Sequence, residues 1–187
     1  MRGSLAGAVL GAACAAAPTG AAVPPGVALD GVEFSGPGLR GRAAEVVMGP
    51  EGGVEARVVE AVVEAAGSGA WALRSGRVTL GATGWEARGG VVAEQERVRV
   101  EAGALEARVG PGGVLGTLRA EGGVRVSGPG RDGGAQRAAW ERGAEAVTLR
   151  GGAWWRVGEV EQRGEVLVVR LPEGAVCGDC PAVGEGP

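Results

Sequence analysis

The chain contains no histidine, lysine, tyrosine, asparagine or isoleucine, and only one phenylalanine. Without histidine there is no imidazole to act as a base, to relay a proton to a nucleophile or to ligate zinc. Without lysine, all 19 basic residues are arginines, set against 22 acidic residues for a net charge of −3. Those arginines are dispersed and balanced by glutamates, so no basic stripe exists and no nucleic-acid partner is expected. The missing types are ones that a GC-rich coding sequence under-uses, and we read the gap as mutational bias. Long hydrophobic runs are also scarce. The apolar stretch at residues 5–17 is too short and too glycine-rich for a spanning helix.

What the chain has instead is glycine and valine. Its 187 residues include 39 glycines and 10 prolines, a share that approaches low-complexity disorder. Two facts oppose that outcome. Hydrophobic residues make up 45 % of the chain and the net charge is small, so a core can form without self-repulsion. Valine suits a half-buried pleated surface. One domain with a substantial core is expected.

The sequence also repeats itself. An apolar residue followed by Glu-Ala-Arg occurs at Val54-Glu55-Ala56-Arg57, Trp85-Glu86-Ala87-Arg88 and Leu105-Glu106-Ala107-Arg108, the first two 31 residues apart. Thr117-Leu118-Arg119 leads to Val124-Arg125-Val126, and 31 residues after Thr117, Thr148-Leu149-Arg150 leads to Trp155-Arg156-Val157. A fixed period built from alternating residues marks a repeated strand unit.

Strands are expected at 39–48, 54–64, 71–80, 84–93, 97–100, 104–109, 114–120, 123–127, 136–141, 146–150, 153–157, 159–163 and 165–171, with a glycine turn at 128–134. An opening strand at 27–34 changes phase at Asp30-Gly31, which suggests a bulge. Residues 42–48 and 61–66 have helical propensity, but neither has a cap and a sustained 3.6-residue stripe, so both are read as strands. Many short antiparallel strands imply an all-β sandwich, barrel or roll.

The ends read differently. Arg2 followed by the apolar stretch resembles an export signal, and Cys14 after Gly11-Ala12-Ala13 resembles a lipoprotein lipidation site; ordinary cleavage near Ala22 is the competitor. Residues 18–26 read as a tether and 172–187 as a Gly/Pro tail. In that tail, Cys177 and Cys180 form a C-x-x-C that could be redox-active, half a zinc site or a local disulfide. No helix follows it and no further zinc ligands are at hand, so in an exported protein the disulfide is preferred.

Catalytic motifs fail one by one. Gly36-x-Gly38-x-x-Gly41 and Gly128-x-Gly130-x-x-Gly133 match the dinucleotide fingerprint, but about two such matches are expected by chance at this glycine content, and neither opens a helix. No nucleophile elbow is present; Gly67-Ser68-Gly69 lacks its flanks. Glu94, Glu96 and Glu101 read as a solvated face. No enzyme, cofactor or metal site is expected.

Ala135-Gln136-Arg137-Ala138-Ala139-Trp140, Val147-Thr148-Leu149-Arg150-Gly151 and Trp155-Arg156-Val157 follow one diffuse pattern, repeated from Leu105 to Val126. With the opening Val27-Ala28-Leu29-Asp30-Gly31-Val32-Glu33-Phe34, it resembles the OstA-like periplasmic proteins of lipopolysaccharide export, the LptA and LptC bridge family, over residues 27–171. The family's tyrosines and asparagines are missing here. The resemblance implies a single open β-jellyroll in the periplasm whose apolar groove holds lipopolysaccharide acyl chains. It also implies partners: other jellyroll bridge proteins, and an inner-membrane ABC transporter that supplies the work. The chain would be held at the membrane by a lipid anchor or its N-terminal segment.

On that reading the apolar phase of each strand faces lipid, through Phe34, Leu80, Val100, Leu118, Val126, Leu149, Trp155 and Val157. The last strand is apolar on both phases, so Val166, Leu167, Val168 and Val169 are expected to form a docking edge for a second jellyroll. The alternative is a structural or adhesive envelope lipoprotein that carries no lipid.

Overall fold

Alternation of apolar and polar residues dictates strands, and strands account for nearly all that is seen. The computed structural model describes residues 10–11, 28–48, 53–65, 69–144, 146–170 and 176–177. Ten long strands follow one another: β2 Ala28–Gly36, β3 Leu39–Met48, β4 Val54–Ala65, β5 Gly69–Gly81, β6 Gly84–Gln95, β7 Val98–Val109, β8 Leu115–Gly128, β9 Arg131–Glu141, β10 Ala146–Val157 and β11 Val160–Arg170. Two-residue pieces flank them, β1 Leu10–Gly11 and β12 Val176–Cys177. A single 3₁₀ turn, Pro111–Gly113, is the only helical element among the described residues.

Each strand pairs with its neighbours in sequence, giving one sheet in the order β1 to β12. All pairings are antiparallel except β1 with β2. The 31-residue period is one hairpin. Glu55 on β4 and Glu86 on β6 stand on the same rung, joined through Thr79 of β5. The Glu-Ala-Arg tripeptide also acquires a meaning: its alanine points inward and is fully buried (Ala56, Ala87, Ala107), while its charged neighbours pair on the outer face.

The glycines are where expectation and structure part. Residues 97–100 and 104–109 are one strand, β7, and each of β8, β10 and β11 likewise unites two expected strands. The intervening glycines do not reverse the chain; they bend it. Gly89-Gly90, Gly122-Gly123 and Gly151-Gly152 all have positive φ, and the ladder shifts register across each pair. An extra residue on one strand of a pair produces this kink, which glycine tolerates because it lacks a Cβ. The expected turn at 128–134 is shorter too, since β9 already begins at Arg131. At Gly31, where a bulge was expected, φ is +63 but β2 and β3 keep the same register on both sides.

The bends align across the sheet and fold it over. An added Cβ at Gly36, at one end of β2, would lie 3.1 Å from Leu80 at the opposite end of β5. One at Gly38 would lie 3.2 Å from the Gly113 carbonyl, in the β7–β8 connection. The first hairpin tip therefore packs on the far ends of later strands. The result is an all-β, open, jellyroll-like roll with its core between the two halves.

Val58 breaks the local rules. It has φ +51 and is 68 % exposed, so a β-branched residue sits in the left-handed region with no packing to compensate. Val58→Asn should raise stability by about 1 kcal/mol, since asparagine tolerates that conformation. A thermal midpoint below wild type would contradict this account.

Part of the expected docking edge is already paired. Val168 and Val169 pair with Cys177 and Val176 of β12, and Leu167, Val168 and Val169 are buried. The stretch of β11 before Val168 lacks an outer partner among the described residues, as does the part of β2 before Phe34. Apolar character on both phases reflects burial on both faces here, as it does in internal strands. Cys14 and Cys180 lie outside the described residues, as do the tether and most of the export segment and tail.

Candidate functional site: the apolar inner face

The site is built from rungs that cross the sheet. Val46, Ala56, Val78, Ala87, Leu105, Ala120, Ala138, Leu149 and Leu167 pair in succession from β3 to β11, apolar at every step. Strand alternation keeps such a rung on one face, and the bends carry that face through the fold.

The bends leave their mark on the spacing of buried residues. In β6, β8 and β10 the buried pairs Ala87/Val91, Ala120/Val124 and Leu149/Ala153 are four apart, with the glycine pair between them. In β3, β4 and β7 the corresponding pairs Ala43/Val46, Val59/Ala56 and Ala102/Leu105 are three apart. An odd spacing would put a flat strand's residues on opposite faces. Here the bend turns both inward.

Two apolar clusters line the inner face. The larger runs from Val32 on β2 to Val124 on β8, with Val54, Trp71, Leu80, Val100, Leu118, Val126, Ala138 and Trp140 half-buried against it. The smaller holds Leu149, Ala153, Trp155, Leu167 and Val169, and it too packs against Val126 and Ala138. Those two residues join the clusters into one surface. Val54, Leu80, Leu118 and Trp140 belong to a rung at one end of the strands, whereas Val100 and Val126 belong to one at the other. Half-buried apolar side chains therefore occur toward both ends.

Glycine makes room for the large rings. A Cβ at Gly133 would collide with the Trp155 ring, and one at Gly134 would come within 2.8 Å of Trp154 Nε1. Inside, polarity is sparse. Of the two buried polar residues among those described, Thr148 stands in the opposite phase to Leu149, on the outer face with Ala139 and Val168, while Ser75 Oγ donates to the Arg77 carbonyl at 3.1 Å. The Trp85 indole N–H is buried with no acceptor among the described residues, and an unpaired buried donor costs about 1–3 kcal/mol.

The outer face is a lattice of arginine–carboxylate pairs. Arg42 binds Glu33 at 2.7 Å, Arg74 and Arg99 both bind Glu94 at 2.6 Å, and Arg156 grips Asp132 through two bonds of 2.8 Å. The hydrogen bond from Arg74 holds the Glu94 carboxyl below the usual carboxylate range. The hydrogen bonds that Arg156 donates to the Asp132 carboxylate hold its guanidinium above the ordinary value. Such exposed pairs are screened by water and add little to stability. Their role is to mark this face as the wet one. No cluster of metal-ligating side chains occurs among the described residues.

Of the eight residues picked from the sequence, the structure brings seven onto the inner surface. Phe34, Leu149 and Trp155 are buried; Leu80, Val100, Leu118 and Val126 are half-buried. Val157 stands apart, 44 % exposed beside the β10–β11 turn. Sequence reading passed over Trp71, Trp85 and Trp140, although alternation with Leu73, Ala87 and Ala138 places each on the same face. A scan against protein-family models returns no match, and a search of curated proteins returns none either.

Proposed function

We propose that this chain carries lipid along its inner face, as a lipopolysaccharide-binding component of an export bridge in the manner of the LptC and LptA proteins. The observation that carries the reading is the unbroken apolar surface from β2 to β11, with half-buried side chains toward both ends. Acyl chains gain roughly 25 cal/mol for each Å² of apolar surface removed from water, whichever residue removes it. A face without polar anchors therefore holds a chain firmly while letting it slide. Sugars and phosphates would stay with the charged outer rim, where hydration is retained.

Transport of this kind involves no bond-making by the carrier. An inner-membrane ABC transporter would supply the work, and a neighbouring jellyroll would receive the chain. The part of β11 before Val168, or the start of β2, offers backbone for that neighbour. Periplasmic location and anchoring through Cys14 belong to the same proposal.

Photo-crosslinking residues placed at Leu118 and Val126 should capture lipopolysaccharide, while those at Arg119 and Arg125 should not. Each pair differs by one residue and hence by face. Equal labelling of both sets would show that the faces or the ligand are misassigned. No labelling at either set would favour the structural or adhesive envelope protein.

A further inference from the structure

We infer that the indole N–H of Trp85 donates a hydrogen bond to the carbonyl of an acyl ester or amide held on the inner face; this rests on the lipid-carrying reading above. Trp85 is 3 % exposed, and its Nε1 is the only buried side-chain polar atom among the described residues that lacks a partner. Ser75, the polar group buried nearby in sequence, has its acceptor. Buried donors are satisfied as a rule, so this exception points to an acceptor that none of the described residues supplies.

The rung around Trp85 says what kind of acceptor fits. Its cross-strand neighbours are Leu80 on β5 and Ala107 on β7, followed by Leu118 on β8. None offers a side-chain oxygen. Leu80 and Leu118 are only half-buried, so the rung borders the surface on which a chain would lie. An acceptor entering there must be neutral and flanked by hydrocarbon, since a phosphate or sugar would have to shed its water among aliphatic groups. The carbonyl that joins a fatty chain to its headgroup meets both demands. Trp85 would then fix the depth at which an otherwise sliding chain comes to rest.

Titration calorimetry of the full chain with dodecanoyl sucrose and dodecyl maltoside, both below micelle-forming concentrations, tests this directly. The two have sugar headgroups and twelve-carbon chains, but only the first has an ester carbonyl. Wild type should bind the ester about five-fold more tightly, the effect of one added hydrogen bond. Trp85→Phe keeps an aromatic ring and removes the donor, so it should bind both probes with the affinity wild type has for the ether. Its thermal midpoint should be no lower than that of wild type. Equal binding of both probes by wild type, or a preference that survives in Trp85→Phe, would overturn the role of Trp85 and leave the lipid reading standing. Failure of wild type to bind either probe would overturn both. The wild-type comparison is decisive even if the variant folds poorly.

Discussion

Replacing Gly122 by valine is expected to cost about 3 kcal/mol, in contrast to about 1 kcal/mol for Gly123→Ala. Both glycines have φ near +80° (81 and 82), where an L side chain is strained. They differ in what surrounds them. A Cβ at Gly122 would lie 3.1 Å from the Gly103 Cα on β7, and backbone cannot swing aside as a flexible side chain can. At Gly123 nothing lies within 4 Å. Valine adds a branch that the left-handed region tolerates least. Equilibrium urea unfolding would measure both. Equal losses would mean that close approach of β7 and β8 at the bend contributes nothing. If lipid lies in the fold, Gly122→Val should also weaken its capture at Leu118 even below the unfolding transition, because a flattened bend separates the two halves.

Leu73→Ala should lose about 3 kcal/mol through the lost transfer free energy and the cavity left behind. Leu73 is 1 % exposed in the middle of β5. Its partners on either side are Ala61 and Ala93, so no large neighbour on its rung can move in to close the gap. Val160→Ala, at a position 74 % exposed, should change stability by less than about 0.5 kcal/mol. Comparable midpoints for the two variants would mean that the inner face is not packed as described. Leu73 also sits between the bend and one end of the roll, so its loss tests the interior that any ligand must share.

Strand identity was legible in the sequence because period-2 alternation is local. Residues 39–48 and 54–64 were placed almost to the residue. Strand length was not legible. A Gly-Gly pair ends a strand or bends it depending on whether the chain beyond continues along the same neighbour, and that is a fact about β7, not about Gly122 or Gly123. The same non-local dependence hid the fate of Val168, whose apolar character fits an open edge and a buried strand equally well. Inner-face residues such as Leu118 and Leu149 were recoverable because each stands in phase with a neighbouring alanine or valine. Val157 followed the same phase but lies at a strand end, where phase no longer implies cover. The rung that surrounds Trp85 runs through four consecutive strands, β5 to β8, but no local pattern announces that its indole N–H is left without an acceptor among the described residues.

Pairing only between consecutive strands has a consequence for how such a molecule assembles. Each hairpin can form from contacts close in sequence and then serve as the template for the next, so growth can start at any hairpin and spread in both directions. Loop-closure entropy stays small at every step. Gain or loss of a whole 31-residue unit would leave the remaining ladder intact, provided the strand that meets the gap keeps its phase. Length is thus an adjustable property of this architecture, and the reach of a single chain across the space it occupies can change by duplication without redesign of its interior.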